Sequence, residues 1–173
     1  ILHSGDFKLD ETPVVGEGWN ADLFDEVSRE TPIRALMCDS TNVFSLHAGR
    51  SESTLRDPIR DLIRSAKGMV VATTFASNVA RLKTLAEAAR AAGRSVCLLG
   101  RAMQRMVRAA QETGVLTDFP ATVTAEQALE IPRESLMLIV TGSQGERRAA
   151  TAQLSRGKYL GLEMREGDLF LFS

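Results

Sequence analysis

Five consecutive hydroxyl, amide and glycine residues follow an apolar run in the last third of the chain. They are Thr141, Gly142, Ser143, Gln144 and Gly145, directly after the run Leu136–Val140. The run is typical of a strand covered on both faces, and loop glycines let the backbone approach a ligand closely. Loop amides beside a helix expected from Arg147 would suit phosphate. A plain strand-to-helix turn is the alternative, because the loop lacks a P-loop lysine and the spacing of a dinucleotide fingerprint.

Similar polar groups follow other strand-like runs. They are Asp39, Ser40 and Thr41; Thr74, Ser77 and Asn78; Gly100 and Arg101; and Ser173. The carboxyl ends of parallel strands meet at one edge of a sheet, so we expect these groups to gather there, where open α/β sheets bind ligands. Hydroxyls, amides and one arginine suit phosphate or ribose, and we find no obvious nucleophile–base pair among them.

Strand-like runs alternate with helical patterns of roughly 10 to 15 residues, which predicts an open, mostly parallel, doubly wound α/β sheet with helices on both faces. The predicted strands are 34–38, 69–73, 96–99, 136–140 and 168–172, with an edge strand at 159–163. The predicted helices are 21–28, 51–67, 79–92, 102–113, 124–129 and 147–154. Pro58 predicts a break or kink in the second helix.

Composition bounds the function. At 173 residues, with 44% hydrophobic and 25% charged residues, the chain has the size and balance of one soluble domain with a piece of a second. A net charge of −1 confines any polyanion site to a local patch. No apolar run reaches the roughly 18 residues of a membrane span. Cys38 and Cys97 lie in apolar runs, so we expect buried thiols and a reducing cytoplasm.

Six segments together resemble the ribonuclease J family of the metallo-β-lactamase superfamily, and specifically its β-CASP domain. They are HSGDFKLDETPV, CDSTN, TTFASNVARL, GRAM, VTGSQGE and GDLFLFS, in this order and spacing. The resemblance implies a β-CASP domain inserted into a zinc-binding β-lactamase-like domain that hydrolyses RNA as a 5′-to-3′ exonuclease, an endonuclease or both. It assigns residues 1–19 to the end of the first half of the zinc domain and residues 20–173 to the β-CASP domain.

The resemblance also implies roles for two acidic residues. Asp6 matches the aspartate that bridges two zinc ions, and Asp39 matches the acidic residue that orients a catalytic histidine. From the residues alone, Asp6 is a turn-former and Asp39 forms an Asx-turn. The HxHxDH and SGH signatures of the family are missing, and His3 and His47 are the only histidines. We therefore expect a fragment that binds no zinc and cuts no RNA by itself, whereas the parent holds two zinc ions.

The implied function is the RNA-binding β-CASP portion of a zinc-dependent ribonuclease. Its partners would be single-stranded RNA and the remainder of the metallo-β-lactamase domain, with an oligomer possible in the parent and no membrane. The candidate RNA-binding residues are Ser77, Asn78, Arg101, Thr141, Gly142, Ser143, Gln144 and Gly145. Ser77 or Asn78 has an N-cap role as its alternative, and Phe75 is the best-placed residue for base stacking.

Two alternatives stay open. A stand-alone doubly wound module could bind a nucleotide or phosphorylated metabolite without cutting RNA. Arg101, Arg105 and Arg108 share a helix face by i, i+4 and i+7 spacing, and this row either meets phosphate or is a solvated surface.

Overall fold

The computed structural model describes residues 1–47, 49–147 and 149–172, without the side chain of Lys158. The strands are β1 Leu2–His3, β2 Leu36–Met37, β3 Val70–Thr73, β4 Ser95–Leu99, β5 Thr122–Val123, β6 Leu136–Val140, β7 Lys158–Tyr159, β8 Leu162–Glu163 and β9 Leu169–Leu171. The α-helices are α1 Ala21–Glu30, α2 Arg56–Ser65, α3 Val79–Ala91, α4 Arg101–Glu112, α5 Ala125–Leu129 and α6 Ala150–Ser155, and 3-10 turns cover Glu52–Leu55 and Arg133–Ser135.

Five strands form the central sheet in the order β5-β4-β6-β3-β9. Every neighbouring pair is parallel, and Val140 at the end of β6 is in register with Leu99 of β4 and Thr73 of β3. The strands β4, β6 and β3 therefore end at the same level. This arrangement confirms the predicted open, parallel α/β fold.

Helices cover both faces of this sheet. Val70 and Ala72 of β3 pack with buried residues of α2, α3 and α4, whereas Val71 packs with α5, α6 and β8. The alternation follows from the opposite directions of successive side chains in a strand. A strand buried on both faces has no polar side, which explains why β6 reads as a continuous apolar run.

Local signals set several helix ends. The side chain of Asn20 accepts a hydrogen bond from the Asp22 amide at 3.0 Å and so caps α1. Gly93 follows α3 with φ +77°, a conformation that favours glycine. The break expected near Pro58 is present, because the 3-10 turn ends at Leu55 and Pro58 lies in the first turn of α2, where its missing N–H costs no helical hydrogen bond.

The strand predicted at 34–38 does not enter the central sheet. Only Leu36 and Met37 are strand residues, and they pair in parallel with Leu2 and His3. They are 60% and 56% exposed, and Cys38 is exposed too, so the prediction of a buried strand and a buried thiol was wrong here. An apolar run indicates an extended element, but it does not show which element will cover it.

Three further elements differ from the prediction. β5 lies in a segment expected to be a loop, the edge strand expected at 159–163 is the antiparallel hairpin β7–β8, and the helix expected from Arg147 begins at Ala150. Among the described residues, no helix is both long and apolar enough to cross a membrane.

Polar side chains hold the amino-terminal edge of the sheet together. Arg94 is buried and donates hydrogen bonds to the carbonyls of Ala66 at 2.6 Å and Gly68 at 2.7 Å, and burial lowers the pKa of its guanidinium. The Asp168 carboxylate, which is 1% exposed, accepts from the Met69 amide at 2.8 Å and from Arg133. The Asp168–Met69 contact fastens the start of β9 to the start of β3, and the Arg94 contacts hold the segment before β3 to the start of β4, at the end of the sheet opposite the candidate site.

Candidate functional site

The loops after β3, β4 and β6 meet at the carboxyl edge of the sheet. The Thr74 amide donates to the Val140 carbonyl at 3.1 Å, which joins the first loop to the third. Gly100 lies directly against Thr141, since a Cβ added at Gly100 would be 3.2 Å from the Thr141 hydroxyl oxygen. The polar residues that follow β3, β4 and β6 therefore do lie together at this edge, as predicted.

A cavity of about 440 Å³ opens between the loop after β6 and the start of α4. We call it the Arg101 cavity, and its walls are Gly100, Arg101, Ala102, Arg105, Thr141, Ala150, Gln153 and Tyr159. Within the described residues, neither Arg101 nor Arg105 forms an ion pair. α4 also begins without a side-chain cap, because Gly100 precedes it with φ +131°. The cavity thus joins two guanidinium groups to the positive end of a helix dipole, which favours an anion.

The loop after β6 needs glycine at Gly142. Its φ is +120°, and a Cβ there would lie 2.7 Å from the Thr151 hydroxyl oxygen and 2.8 Å from the Cβ of Ala149. Thr151 donates to the Thr141 carbonyl twice, from its hydroxyl at 2.6 Å and from its amide at 3.1 Å. These bonds draw the start of α6 against the strand end and leave the residues before Ala150 in a loop, which is why the helix begins later than predicted.

Two hydroxyls at this edge have no hydrogen-bond partner among the described residues. They are Thr74 Oγ1, in a residue that is 1% exposed, and Ser143 Oγ, which is also buried. A buried hydroxyl without a partner costs about 1–3 kcal/mol. Both hydroxyl groups therefore keep a free donor at the strand ends, although neither oxygen is exposed in this conformation.

One amide of the loop already binds a carboxylate of the same chain. The Gln144 N–H donates to Glu146 Oε2 at 3.2 Å, and the Gly145 amide closes a turn onto the Gly142 carbonyl at 3.3 Å. Gln144, Gly145 and Glu146 are all exposed, so the loop tip is open to solvent. The loop can therefore bind an oxyanion, and in this conformation the carboxylate of Glu146 occupies that position.

Ser77 and Asn78 are not among the walls of the cavity that contains Arg101 and Thr141. Ser77 is exposed, and Asn78 Oδ1 accepts from the Arg81 amide at 3.0 Å, so Asn78 is the N-cap of α3. Asn78 lines a different cavity, of about 650 Å³, whose walls include many residues between Lys8 and Phe24. Only its side-chain NH₂ group remains for a ligand in that cavity.

Asp6 and Asp39 lie after β1 and β2, outside the central sheet. The Asp39 carboxylate accepts from the hydroxyl and amide of Thr41 at 2.6 and 2.9 Å, which lowers the pKa of Asp39. This is the Asx-turn of the alternative interpretation. The expectation that Asp39 joins the edge with Arg101 is wrong, because β2 pairs with β1 instead. Ser173, grouped with the same edge, lies outside the described residues.

The surroundings of Asp6 do not fit a zinc centre by themselves. His3, the nearest histidine in sequence, uses Nδ1 to accept from the Gly5 amide at 3.1 Å. Among the described residues, no three His, Cys, Asp or Glu side chains are placed to hold a metal. A catalytic zinc takes about three protein ligands and an open position.

Sequence reasoning missed part of the cavity wall. Arg105 carried a signal, its spacing from Arg101 on one helix face, but Gln153 and Tyr159 come from α6 and from a hairpin that was expected to be an edge strand. Nothing in the local sequence places Tyr159 opposite α4. The contact depends on how the hairpin packs after α6.

Comparison with known proteins covers both the sheet and this cavity. The family model described as "Ribonuclease J, beta-CASP domain" matches residues 67–173, which include every strand of the central sheet and every wall of the Arg101 cavity. The chain belongs to the ribonuclease J family. This confirms the resemblance noted in the motifs, whereas Asp6 and Asp39 precede the matched segment.

Curated relatives in the ribonuclease J family align with the whole chain. Ribonuclease J of Sinorhizobium meliloti is 38% identical, that of Mycobacterium tuberculosis strain H37Rv 36%, and that of Helicobacter pylori 29%. Each alignment covers 100% of this chain but 30%, 31% and 25% of the relative. The chain spans less than a third of the length of these relatives.

Proposed function

We propose that this chain is the RNA-binding β-CASP portion of a zinc-dependent ribonuclease, and that single-stranded RNA crosses the carboxyl edge of its sheet. The observation that carries the proposal is the cavity in which Arg101 and Arg105, without ion-pair partners among the described residues, face Thr141. Phosphate contacts from arginine supply most of the affinity in sequence-independent RNA binding.

The neighbouring groups support a polynucleotide over a lone anion. The unpartnered hydroxyls of Thr74 and Ser143, which are buried in this conformation, would donate to phosphate or ribose oxygens when their loops open toward the RNA. Phe75, which follows Thr74, is 44% exposed and can stack on a base. Phosphate, sugar and base contacts would thus lie side by side on adjacent strand ends.

The hydrolytic centre of the parent would be completed by polypeptide beyond this chain. In the parent we assign Asp6 to a two-zinc site and Asp39 to orienting a catalytic histidine, with hydrolysis by exonuclease action, endonuclease action or both. The chain alone binds no zinc and cuts no RNA under this proposal. An exposed Cys38 and a buried Cys97, both free, suit the cytoplasm.

The remainder of the metallo-β-lactamase domain is the proposed partner of the N-terminal segment. α1 has an apolar side with Leu23, Phe24 and Val27, yet it contains no buried residue. A cavity of about 350 Å³ with mainly apolar walls, among them Phe7 and Leu36, lies beside it. Such an apolar surface favours a covering partner. The division into residues 1–19 and 20–173 remains part of this proposal.

NMR chemical-shift mapping of the chain with a nucleoside monophosphate and with short single-stranded RNA tests the RNA-binding role. We expect shifts at Gly100–Arg105 and Thr141–Gly145, and weaker binding in Arg101→Gln. Arg90→Gln is the matched control, because Arg90 is exposed in the last turn of α3, at the opposite end of the sheet. Shifts confined to the amino-terminal edge would contradict the proposal, and tight binding of the mononucleotide alone would favour a metabolite-binding module.

A further inference from the structure

Helix α4 carries a row of three exposed arginines on one face. Arg101, Arg105 and Arg108 are spaced i, i+4 and i+7, which places the last about 10 Å along the helix axis from the first. No ion pair holds any of the three among the described residues. By contrast, Arg56 and Arg60 of α2 both lie within 4.0 Å of carboxylates. The α4 row is therefore a local concentration of positive charge without ion-pair partners among the described residues.

This row leads from the Arg101 cavity to a second one. Arg108 lines a cavity of about 530 Å³ between α4 and the segment of β5 and α5. The β7–β8 hairpin contributes Tyr159, the last residue of β7, to the first cavity and Leu160, in the turn, to the second. Because Tyr159 and Leu160 are consecutive and both cavities use α4 as a wall, the two adjoin along the helix. We call the pair of cavities the α4 groove.

The second half of the groove is lined by groups that suit a sugar–phosphate backbone. Gln104, Gln111 and Thr122 are exposed there, and Gln104 is oriented by a hydrogen bond from its side-chain nitrogen to the Leu98 carbonyl at 2.9 Å. Glu126 is the one carboxylate of this wall. Its own backbone amide and the Thr124 hydroxyl lower its pKa, so it is charged at neutral pH and partly offsets Arg108. The walls of the whole α4 groove thus contain three arginines and one carboxylate.

We propose that the α4 groove continues the RNA path, with Arg108 contacting a backbone phosphate beyond those held by Arg101 and Arg105 at the carboxyl edge. The inference rests on the proposed RNA-binding function and adds a direction to it. The RNA would leave the ends of β4 and β6 and run along α4 toward β5. Amide and hydroxyl groups then meet ribose oxygens between the phosphates. A short RNA fits the part of the path near Arg101, whereas only a longer RNA extends to Arg108.

Oligonucleotides of two lengths distinguish binding near Arg101 from binding that extends to Arg108. We would measure fluorescence anisotropy with a labelled trinucleotide and a single-stranded RNA of about 12 nucleotides, a length within the usual range of single-strand sites. The proteins are the unaltered chain, Arg101→Gln, Arg105→Gln, Arg108→Gln and the control Arg90→Gln. All four substituted arginines are exposed, so thermal unfolding of the variants should match that of the unaltered chain.

We expect Arg108→Gln to weaken binding of the longer RNA about three- to fivefold and to leave the trinucleotide unchanged. The slope of log affinity against log salt should fall by about 0.7 for each lost phosphate contact. Arg101→Gln and Arg105→Gln should weaken both oligonucleotides, because both arginines line the edge cavity, and Arg90→Gln should weaken neither.

Three outcomes would overturn the inference. If Arg108→Gln matches Arg90→Gln on the longer RNA while Arg101→Gln and Arg105→Gln weaken both ligands, RNA binds at the edge but does not follow α4. If the unaltered chain binds neither RNA, the proposed function itself fails. If an acidic peptide binds with the same dependence on Arg108 while RNA does not, the groove belongs to a protein partner.

Discussion

The backbone amide of Gln144 donates a hydrogen bond to the carboxylate of Glu146 at 3.2 Å. Two residues apart on an exposed loop, the pair shows that this turn presents an amide to an oxyanion. A ligand phosphate at the same amide would have to displace Glu146 and would also meet its negative charge. The Glu146 carboxylate would thus compete weakly with an RNA phosphate for the Gln144 amide.

Replacing Glu146 by Gln should strengthen phosphate binding at the loop. Removal of one exposed like charge predicts a gain of about twofold to fivefold in affinity for inorganic phosphate or a nucleoside monophosphate, larger at low salt. Isothermal titration calorimetry or chemical-shift titration measures it. Glu30→Gln, an exposed charge at the end of α1, is the control. Equal gains in both variants would mean that only net charge matters.

Gly142→Ala should destabilise the protein more than Gly145→Ala. Both glycines have positive φ, but only at Gly142 would the added methyl meet other atoms, at 2.7 and 2.8 Å, whereas the space beside Gly145 is open. We expect losses in the free energy of unfolding of about 2–4 kcal/mol at Gly142 and about 1–2 kcal/mol at Gly145. Urea unfolding compares the two, and equal losses would show that the contacts of Thr151 relax without cost.

Asp168→Ala should loosen the strand β9 from β3. The substitution removes the acceptor of the Met69 amide and the partner of Arg133 from a carboxylate that is 1% exposed, so we expect a loss of about 3 kcal/mol in the free energy of unfolding. Asp61→Ala, whose side chain is 62% exposed beside Arg60, should change it by less than about 1 kcal/mol. Hydrogen exchange should speed up first at Met69 and Leu169. Unchanged protection there would show that the backbone ladder and apolar contacts hold β9 without the Asp168 side chain.

The two thiols should differ in reactivity. Burial, with a smaller effect of the nearby Glu126 charge, raises the pKa of Cys97 from 9.0 to about 11, while Cys38 is exposed. Alkylation at pH 8, followed by mass spectrometry of peptides, should modify Cys38 and spare Cys97 in the folded chain. Because the folded state holds the Cys97 proton more tightly, this thiol contributes stability that is complete below pH 9 and lost as the pH rises through about 11. Rapid modification of both cysteines would contradict the burial of Cys97.

The amino-acid sequence by itself determined four of the five strands of the central sheet, all except β5, and the family of the chain. Leu136–Val140 and residues 70–72 are apolar without interruption because both faces of their strands are covered, and this pattern is visible without a structure. Helix ends at Asn20, Gly93 and Thr124 also follow from local chemistry, since a cap depends on one side chain or one backbone angle. The order of polar loops after the strands then indicated the carboxyl edge.

Only the tertiary structure decided what each element packs against and which loops share a cavity. The run around Leu36 has the composition of a buried strand, yet it pairs with Leu2, because strand pairing depends on distant segments that no local pattern specifies. For the same reason Asn78 lines one cavity and Arg101 another, although both follow strands of one sheet. Tyr159 reaches the Arg101 cavity through the packing of a hairpin after α6, a long-range contact that spacing along the chain does not encode.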